Sequence, residues 1–195
     1  MNCTFFVFHQ ELHWLSQIKS VKFYSIKNIN GLIFQEDKYR FMYAALQEAE
    51  KAFEDDEVPI GAVVVYQDKI IGRGYNQVER LKDATAHAEM IAITSAANHL
   101  GNWRLNECSI YVTVEPCIMC TGALLHSRID ELYFGTFDTK FGACGSIYNL
   151  AEESKVNHKI KVYSGLMASE SEQLLKAFFS EKRNKIYPND QHNLA

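Results

Sequence analysis

The chain has 195 residues, and its 20 Lys and Arg against 24 Asp and Glu give a formal net charge of −4. This balance excludes a polycation that holds nucleic acid by bulk charge, although it is compatible with a local basic patch. Hydrophobic residues make up 47% and charged residues 23% of the chain, which is typical of a folded globular protein and excludes a disordered one.

The first part of the chain differs from the rest. Residues 1–36 are rich in aromatic residues and have neither a clean helical period nor a secretory signal. We expect an N-terminal extension without an assigned role over 1–36, a folded domain over 37–187 and a frayed tail over 188–195. One hypothesis is that the extension is not translated and that the true start lies near Leu32 or Ile33.

The first half of the domain begins with a helix over residues 37–53, "DKYRFMYAALQEAEKAF", which has a helical apolar stripe. Residues 60–76, "IGAVVVYQDKIIGRGYN", then predict two strands joined in a hairpin at "QDK". A polar loop over 76–84 leads to a helix over 85–100, "TAHAEMIAITSAANHL".

The second half alternates strands and helices. We predict strands at "SIYVTV", "ELYFGTF" and "IKVYSG", a helix at "CIMCTGALLHSRI" between the first two, and a long closing helix at "SESEQLLKAFFSEKRNKI". This alternation indicates an α/β sandwich with a mixed or mostly parallel sheet. The longest apolar runs fall far short of the roughly 20 residues of a membrane helix, so we expect no membrane partner.

The cysteines favour a cytoplasmic protein that uses thiols for chemistry. Their number is odd, five, and two of them form a close pair, Cys117 and Cys120, directly after Pro116. Without a secretory signal, such pairs more often bind metal or perform redox chemistry than form structural disulfides. Proline is common in the first turn of a helix. Both sulfurs would then lie near the positive N-terminal end of this helix, which favours thiolates. A redox dithiol, half of a zinc site and a plain core pair are all compatible with this spacing.

His87 favours the metal interpretation, because it stands thirty positions before Cys117 and near the start of its own predicted helix. One imidazole and two thiolates supply three zinc ligands and leave a fourth position for water or substrate, as in catalytic zinc sites. Glu89 can then carry a proton for the attacking water, whereas an isolated "HAE" would more simply hold a solvated glutamate. His126 lies too far along its helix from Cys120 to join the metal.

The stretches "EVPIGAVVV", "GYN", "TAHAE", "YVTVEPCIMCTGAL", "HSRI", "FGTFDTKFGACGS" and "AFFSEKR" resemble bacterial tRNA-specific adenosine deaminases. These belong to the cytidine deaminase-like zinc deaminases, whose signature is H-x-E followed by P-C-x-x-C. The resemblance covers roughly residues 38–186. It implies a three-layer α/β/α sandwich with a central five-stranded mixed sheet.

The resemblance also implies a reaction and its residues. His87, Cys117 and Cys120 would bind one zinc ion per subunit, and Glu89 would be the proton shuttle. The expected reaction is hydrolysis of adenosine to inosine at wobble position 34 of an arginine tRNA, with the base flipped into the pocket. The enzyme would be a cytoplasmic homodimer.

Further residues are implied as contacts to the RNA. They come from the pocket, from the "FDTKFG" loop and from the closing helix. On this helix two adjacent phenylalanines cannot both face the same way, so one can stack on a base. From the residues alone, two core aromatics and a solvated basic face are about as compatible with this helix, and the resemblance favours the RNA contact. This set comprises Asn76, Ala88, Asp138, Lys140, Phe179, Lys182 and Arg183. Two residues depart from the family pattern: Phe141 replaces a small or hydroxyl residue, and Cys144 replaces an alanine.

Two other functions compete with this prediction. A deaminase of guanine, cytosine or a pyrimidine nucleotide would share the zinc chemistry, but it would need neither the "FGTFDTKFGA" loop nor a basic closing helix. A zinc-stabilised RNA-binding module without catalysis could keep the three ligands, but it would not need Glu89.

Overall fold

The computed structural model describes residues 33–153 and 155–186. Most of the predicted extension, residues 1–32, and the whole tail lie outside the described residues, so both stay predictions. The helices are α1 (Ile33–Glu54), α2 (Val78–Leu81), α3 (Ala88–Leu100), α4 (Ile118–Ser127) and α5 (Ala168–Ile186). The strands are β1 (Gly61–Tyr66), β2 (Lys69–Tyr75), β3 (Ser109–Val114), β4 (Glu131–Thr136) and β5 (Lys161–Ser164).

The five strands form one mixed sheet in the order β2-β1-β3-β4-β5. Strand β1 is antiparallel to both β2 and β3, whereas β3, β4 and β5 run parallel. The carboxyl ends of β2, β3 and β4 therefore lie at one edge of the sheet. The chain segments that follow these three strands meet at that edge, and they carry most of the predicted site.

Helices cover both faces of the sheet, because successive side chains of a strand point to opposite sides. On β1, Ala62 and Val64 pack into a buried cluster with α3 and α4, whereas Val63 and Val65 pack into a second cluster with α1. Helix α5 joins the α1 face, where its Phe178 ring lies 5.7 Å from the Phe53 ring. The predicted three-layer α/β/α sandwich with a five-stranded mixed sheet is confirmed.

Small residues bring α3 close to the hairpin. Ala88, Ala92 and Ala96 of α3 are fully buried, and Gly72 and Gly74 of β2 lie against the backbone carbonyls of this helix. A Cβ atom at either glycine would collide with those carbonyls. The close contact fixes the start of α3, and with it His87, relative to the end of β2.

The structure differs from the sequence-based elements in one loop and at the start of the first helix. The predicted polar loop over 76–84 contains the four-residue helix α2, which is too short to show a helical period. Helix α1 begins at Ile33, before its predicted start at residue 37. None of the described helices combines the length and the apolar character that crossing a membrane requires.

Candidate metal centre and active site

The three predicted metal ligands converge at the starts of two helices. His87 is the N-cap of α3 and Cys117 is the N-cap of α4, both with extended backbone, and Cys120 lies in the first turn of α4. The Nδ1 atom of His87 lies 3.7 Å from the Cys117 sulfur and 3.5 Å from the Cys120 sulfur. Pro116 precedes the N-cap, so its predicted place in the first helical turn is wrong by two positions.

These donors fit a zinc ion. The three ligand atoms all lie within 4.8 Å of one another, and among the described residues no other group of His, Cys, Asp and Glu side chains meets this criterion. Two sulfurs and one imidazole nitrogen form a soft donor set that suits zinc better than calcium or magnesium. Neither His87 nor Cys117 uses its side chain to cap its helix, which leaves these donors available to a metal.

The local electrostatics favour a thiolate at Cys117. A hydrogen bond from Cys120 lowers the pKa of the Cys117 thiol well below its usual range, and His87 adds to this shift. The same bond to Cys117, together with burial, raises the pKa of Cys120. Cys117 also raises the pKa of His87, against the effect of burial. The first proton is therefore lost from Cys117, beside the positive end of α4.

Glu89 lies in the first turn of α3 and is buried, with 4% of its surface exposed. Burial raises its pKa to about 7, and the nearby Cys117 adds to the increase, while a hydrogen bond with Cys120 opposes it. A carboxyl group in this range can both accept and release a proton near neutral pH. Its surroundings therefore differ from those of a solvated helix glutamate.

The predicted pocket residue Asn76 lies at the end of β2 and is 6% exposed. Its Nδ2 atom donates a hydrogen bond of 3.1 Å to the carboxylate of Glu57, which also accepts one of 2.7 Å from the backbone N–H of Arg80. A carboxylate only accepts hydrogen bonds, so this contact fixes the orientation of the Asn76 amide. Ala88 is fully buried, and as the first residue of α3 its N–H has no acceptor within the helix.

The predicted RNA loop follows β4 and returns to the metal centre. We call residues 137–146, which begin with the "FDTKFG" stretch that the resemblance implies as an RNA contact, the substrate loop. The Asp138 carboxylate accepts hydrogen bonds from the N–H groups of Lys140 and Phe141 at 2.9 and 3.2 Å, which folds the turn. The N–H of Ala143 donates to the carbonyl of Pro116 at 2.9 Å. Asp138 and Lys140 thus lie on a loop that is joined to the segment preceding Cys117.

The closing helix presents its two phenylalanines differently, as predicted. Phe178 is 5% exposed, whereas Phe179 is 45% exposed. Lys182 forms an ion pair with Asp56, with Nζ 2.6 Å from Oδ2, so part of its charge is offset within the protein. Arg183 is exposed. The roles of these residues as RNA contacts stay predictions.

Sequence reasoning missed two buried carboxylates beside the site, Glu57 and Glu115, which are 1% and 3% exposed. The sequence carries a partial signal for Glu115, which stands between the apolar strand "SIYVTV" and Pro116, but none for Glu57, which follows the acidic run "EDD". Charged residues are seldom buried unless they are satisfied by hydrogen bonds or ion pairs. Both glutamates meet this condition, because each accepts hydrogen bonds from a neighbouring segment of the site.

Cys144 is a poor candidate for oxidation despite its place in the substrate loop. It is 5% exposed, and its sulfur lies 3.2 Å from the Thr121 hydroxyl. Burial raises its pKa to about 12, and burial likewise raises that of Cys108 to about 11. Few thiolates are therefore available at neutral pH.

We expect Cys144 to react with iodoacetamide no faster than Cys108 in the native protein. Site-resolved mass spectrometry of the labelled, zinc-loaded protein measures both rates in one sample. The denatured protein, in which both cysteines are exposed, is the control and should label both quickly. Faster labelling of Cys144 in the native protein would contradict its burial.

Comparisons with known proteins agree with this site. The family model for the cytidine and deoxycytidylate deaminase zinc-binding region matches residues 35–136. The tRNA-specific adenosine deaminase of Streptococcus pyogenes is 41% identical over 150 residues, which cover 77% of this chain and 94% of the relative. That of Bacillus subtilis is 46% identical over 145 residues, covering 74% and 90%.

A solved structure from a study of A-to-I editing by tRNA:A34 deaminases at the wobble position is similar with a TM-score of 0.68 and 46% identity. The match covers 70% of this chain and 99% of the other. The alignments span nearly the full length of these relatives, and the matched family region contains all three candidate zinc ligands and Glu89. This chain belongs to the tRNA-specific adenosine deaminases, within the family that shares the cytidine and deoxycytidylate deaminase zinc-binding region.

Proposed function

We propose that this protein is a hydrolase that converts adenosine to inosine at wobble position 34 of an arginine tRNA. The observation that carries the proposal is the meeting of His87, Cys117 and Cys120 beside the buried carboxyl group of Glu89. The kinship with tRNA-specific adenosine deaminases supports the choice of substrate. We further propose that the enzyme acts in the cytoplasm as a homodimer.

In this proposal His87, Cys117 and Cys120 hold one zinc ion per subunit. When bound, zinc would supply Lewis-acid chemistry: it would lower the pKa of water, so that a strong nucleophile is available near neutral pH. Glu89 accepts a proton from the water that attacks C6 of adenine and delivers it to ring N1. It then accepts the remaining proton of the hydroxyl group added at C6 and delivers it to the leaving amino nitrogen, so that the C6 carbonyl forms as ammonia departs. Water and adenosine are consumed, and inosine and ammonia are released.

The remaining residues orient the flipped nucleotide and its neighbours. Asn76, held by Glu57, hydrogen-bonds the purine or its ribose, and Ala88 contacts the base through its free N–H. Asp138 and Lys140 of the substrate loop contact the flanking nucleotides. Along the closing helix, base stacking and phosphate contacts come from Phe179, Lys182 and Arg183.

A direct test compares substrates. The purified zinc-loaded protein is incubated separately with an arginine tRNA that carries adenosine at position 34, with free adenosine, with cytidine and with guanine. Because the substrate loop and the closing helix are proposed to bind RNA, we expect inosine from the tRNA alone. Nucleoside analysis by liquid chromatography and mass spectrometry measures the products.

The same tRNA with guanosine at position 34 is the control and should remain unchanged. Turnover of a free base or nucleoside with the tRNA untouched would reject the proposal. That result would favour a small-molecule deaminase on the same scaffold.

A further inference from the structure

Glu115 has no assigned role, yet it accepts four hydrogen bonds from the substrate loop. Its Oε1 atom accepts from the N–H groups of Cys144 and Ser146, at 2.9 and 3.0 Å. Its Oε2 atom accepts from the N–H of Asp138 at 3.0 Å and from the hydroxyl of Ser146. With only 3% of its surface exposed, this carboxylate lies inside the loop.

The same loop is also attached to the segment that carries the metal ligands. Gly142 and Cys117 form an isolated antiparallel β-bridge. A Cβ atom at Gly142 would collide with the Glu115 carboxylate and with the Asp138 carbonyl, so only glycine allows the backbone this close. Glu115 itself stands two residues before Cys117, so one short segment holds both the loop and the metal.

We propose that Glu115 is a positioning residue that fixes the substrate loop relative to the metal centre. Through it, Asp138 and Lys140 are held at a set place relative to Cys117. The inference rests on the proposed function, because the loop contacts RNA only if the protein acts on a tRNA. The loop geometry and the metal centre behave as one rigid unit, so a bound nucleotide reaches the reacting position without a separate ordering step.

The chemistry of the four donors requires a carboxylate. Three backbone N–H groups and one hydroxyl point at two oxygens, and a carboxylate has enough lone pairs to accept from all of them. A glutamine amide has one oxygen and one NH₂ group, so at least one backbone N–H of the loop would face another donor. An aspartate is shorter by one methylene group and cannot reach the same positions.

The test is Glu115→Gln in the full-length zinc-loaded protein, with two readouts. Lys140 is the one Lys or Arg in residues 137–146, so tryptic cleavage after it reports local opening of the loop. We expect this cleavage to be about tenfold faster in the variant, because unpaired N–H groups weaken the folded loop. Peptide mass spectrometry over time measures the rate.

The second readout is turnover of an anticodon stem-loop with adenosine at position 34. We expect KM to rise about tenfold, since binding must now order the loop, while kcat changes by less than about threefold, since the metal ligands and Glu89 are intact. A merely structural role would lower the amount of folded protein without this split. Zinc content should equal that of the wild type.

Glu48→Gln is the matched control. Glu48 is also a 3% exposed glutamate, but it pairs with Lys51 and Arg73 on the α1 face. Its variant should match the wild type in cleavage after Lys140 and in KM. If Glu115→Gln does not fold, Gly142→Ala displaces the same contact and should give both effects.

The outcomes separate the two proposals. Wild-type rates of cleavage after Lys140 in both loop variants would overturn the role of Glu115, whatever the substrate is. Faster cleavage with an unchanged KM would also overturn it, because the loop would then not position the RNA. A stem-loop that the wild-type protein does not deaminate would instead reject the proposed function, while the proteolysis result would still decide whether Glu115 fixes the loop.

Discussion

Glu89→Gln is expected to reduce deamination of the wobble adenosine by about three orders of magnitude, because general acid-base groups contribute about 10²- to 10⁴-fold to such reactions. Glutamine keeps the size of the side chain but cannot accept a proton from the attacking water. Single-turnover kinetics with the anticodon stem-loop measure the loss. The bound zinc should remain, since Glu89 is not one of the three proposed ligand residues.

The loss of turnover must be separated from damage to the fold. Glu89 is 4% exposed, so the substitution is made inside a packed environment and needs a control for folding. Glu48→Gln removes a comparably buried charge far along α1 and should retain wild-type turnover. A Glu89→Gln protein that binds zinc and deaminates the stem-loop at the wild-type rate would contradict the proton-transfer role.

Glu89 could be chosen from the sequence because a second motif accompanies it. In isolation, "HAE" is as compatible with a solvated helix glutamate as with a catalytic one. The second motif, "PCIMC", made the catalytic interpretation stronger, because two thiols and an imidazole suggest a metal site beside the carboxylate. The structure adds the physical reason, since burial raises the pKa of Glu89 to about 7.

The fold was also predictable from local patterns. β-branched runs such as "SIYVTV" predict strands, and residues 109–114 form β3 as expected. The strand order was not predictable from these patterns, because the antiparallel pairing of β1 with β3 joins strands far apart in the chain. The patterns predict five strands in a mixed or mostly parallel sheet, and only the family resemblance implies a mixed sheet at the centre of three layers.

The supporting carboxylates could not be chosen in the same way. Glu57 and Glu115 accept hydrogen bonds from residues 19 to 31 positions away along the chain. No helical or strand period links such partners, and a buried acidic residue resembles a solvated one in sequence. The tertiary structure brings these partners together at the edge of the sheet where β2, β3 and β4 end, and this proximity gives the two glutamates their role.

His87→Ala is expected to cost both the metal and the activity. Loss of an outer partner of a zinc ligand already lowers affinity by about 10- to 100-fold, so removal of a direct ligand should cost on the order of a hundredfold or more. Turnover should fall with zinc occupancy. Metal analysis after dialysis and the deamination rate of the same sample measure the two effects together.

The fold itself should tolerate this substitution. The His87 side chain makes no cap hydrogen bond, and its backbone has the extended conformation with φ −73° and ψ 155°, which alanine also adopts. The circular dichroism spectrum should therefore match that of the metal-free wild type. His126→Ala is the control, because His126 is exposed in the last turn of α4 and lies outside the metal group.

His87→Cys distinguishes a ligand role from any other role of the imidazole. A thiolate at this position recreates a donor, and three-cysteine zinc sites occur among zinc deaminases. We expect this variant to bind zinc more tightly than His87→Ala. If His87→Ala retained zinc like the wild type, or if His87→Cys bound it no better than the alanine variant, His87 would not be a metal ligand. The open three-ligand centre at the starts of α3 and α4 would then have to be abandoned.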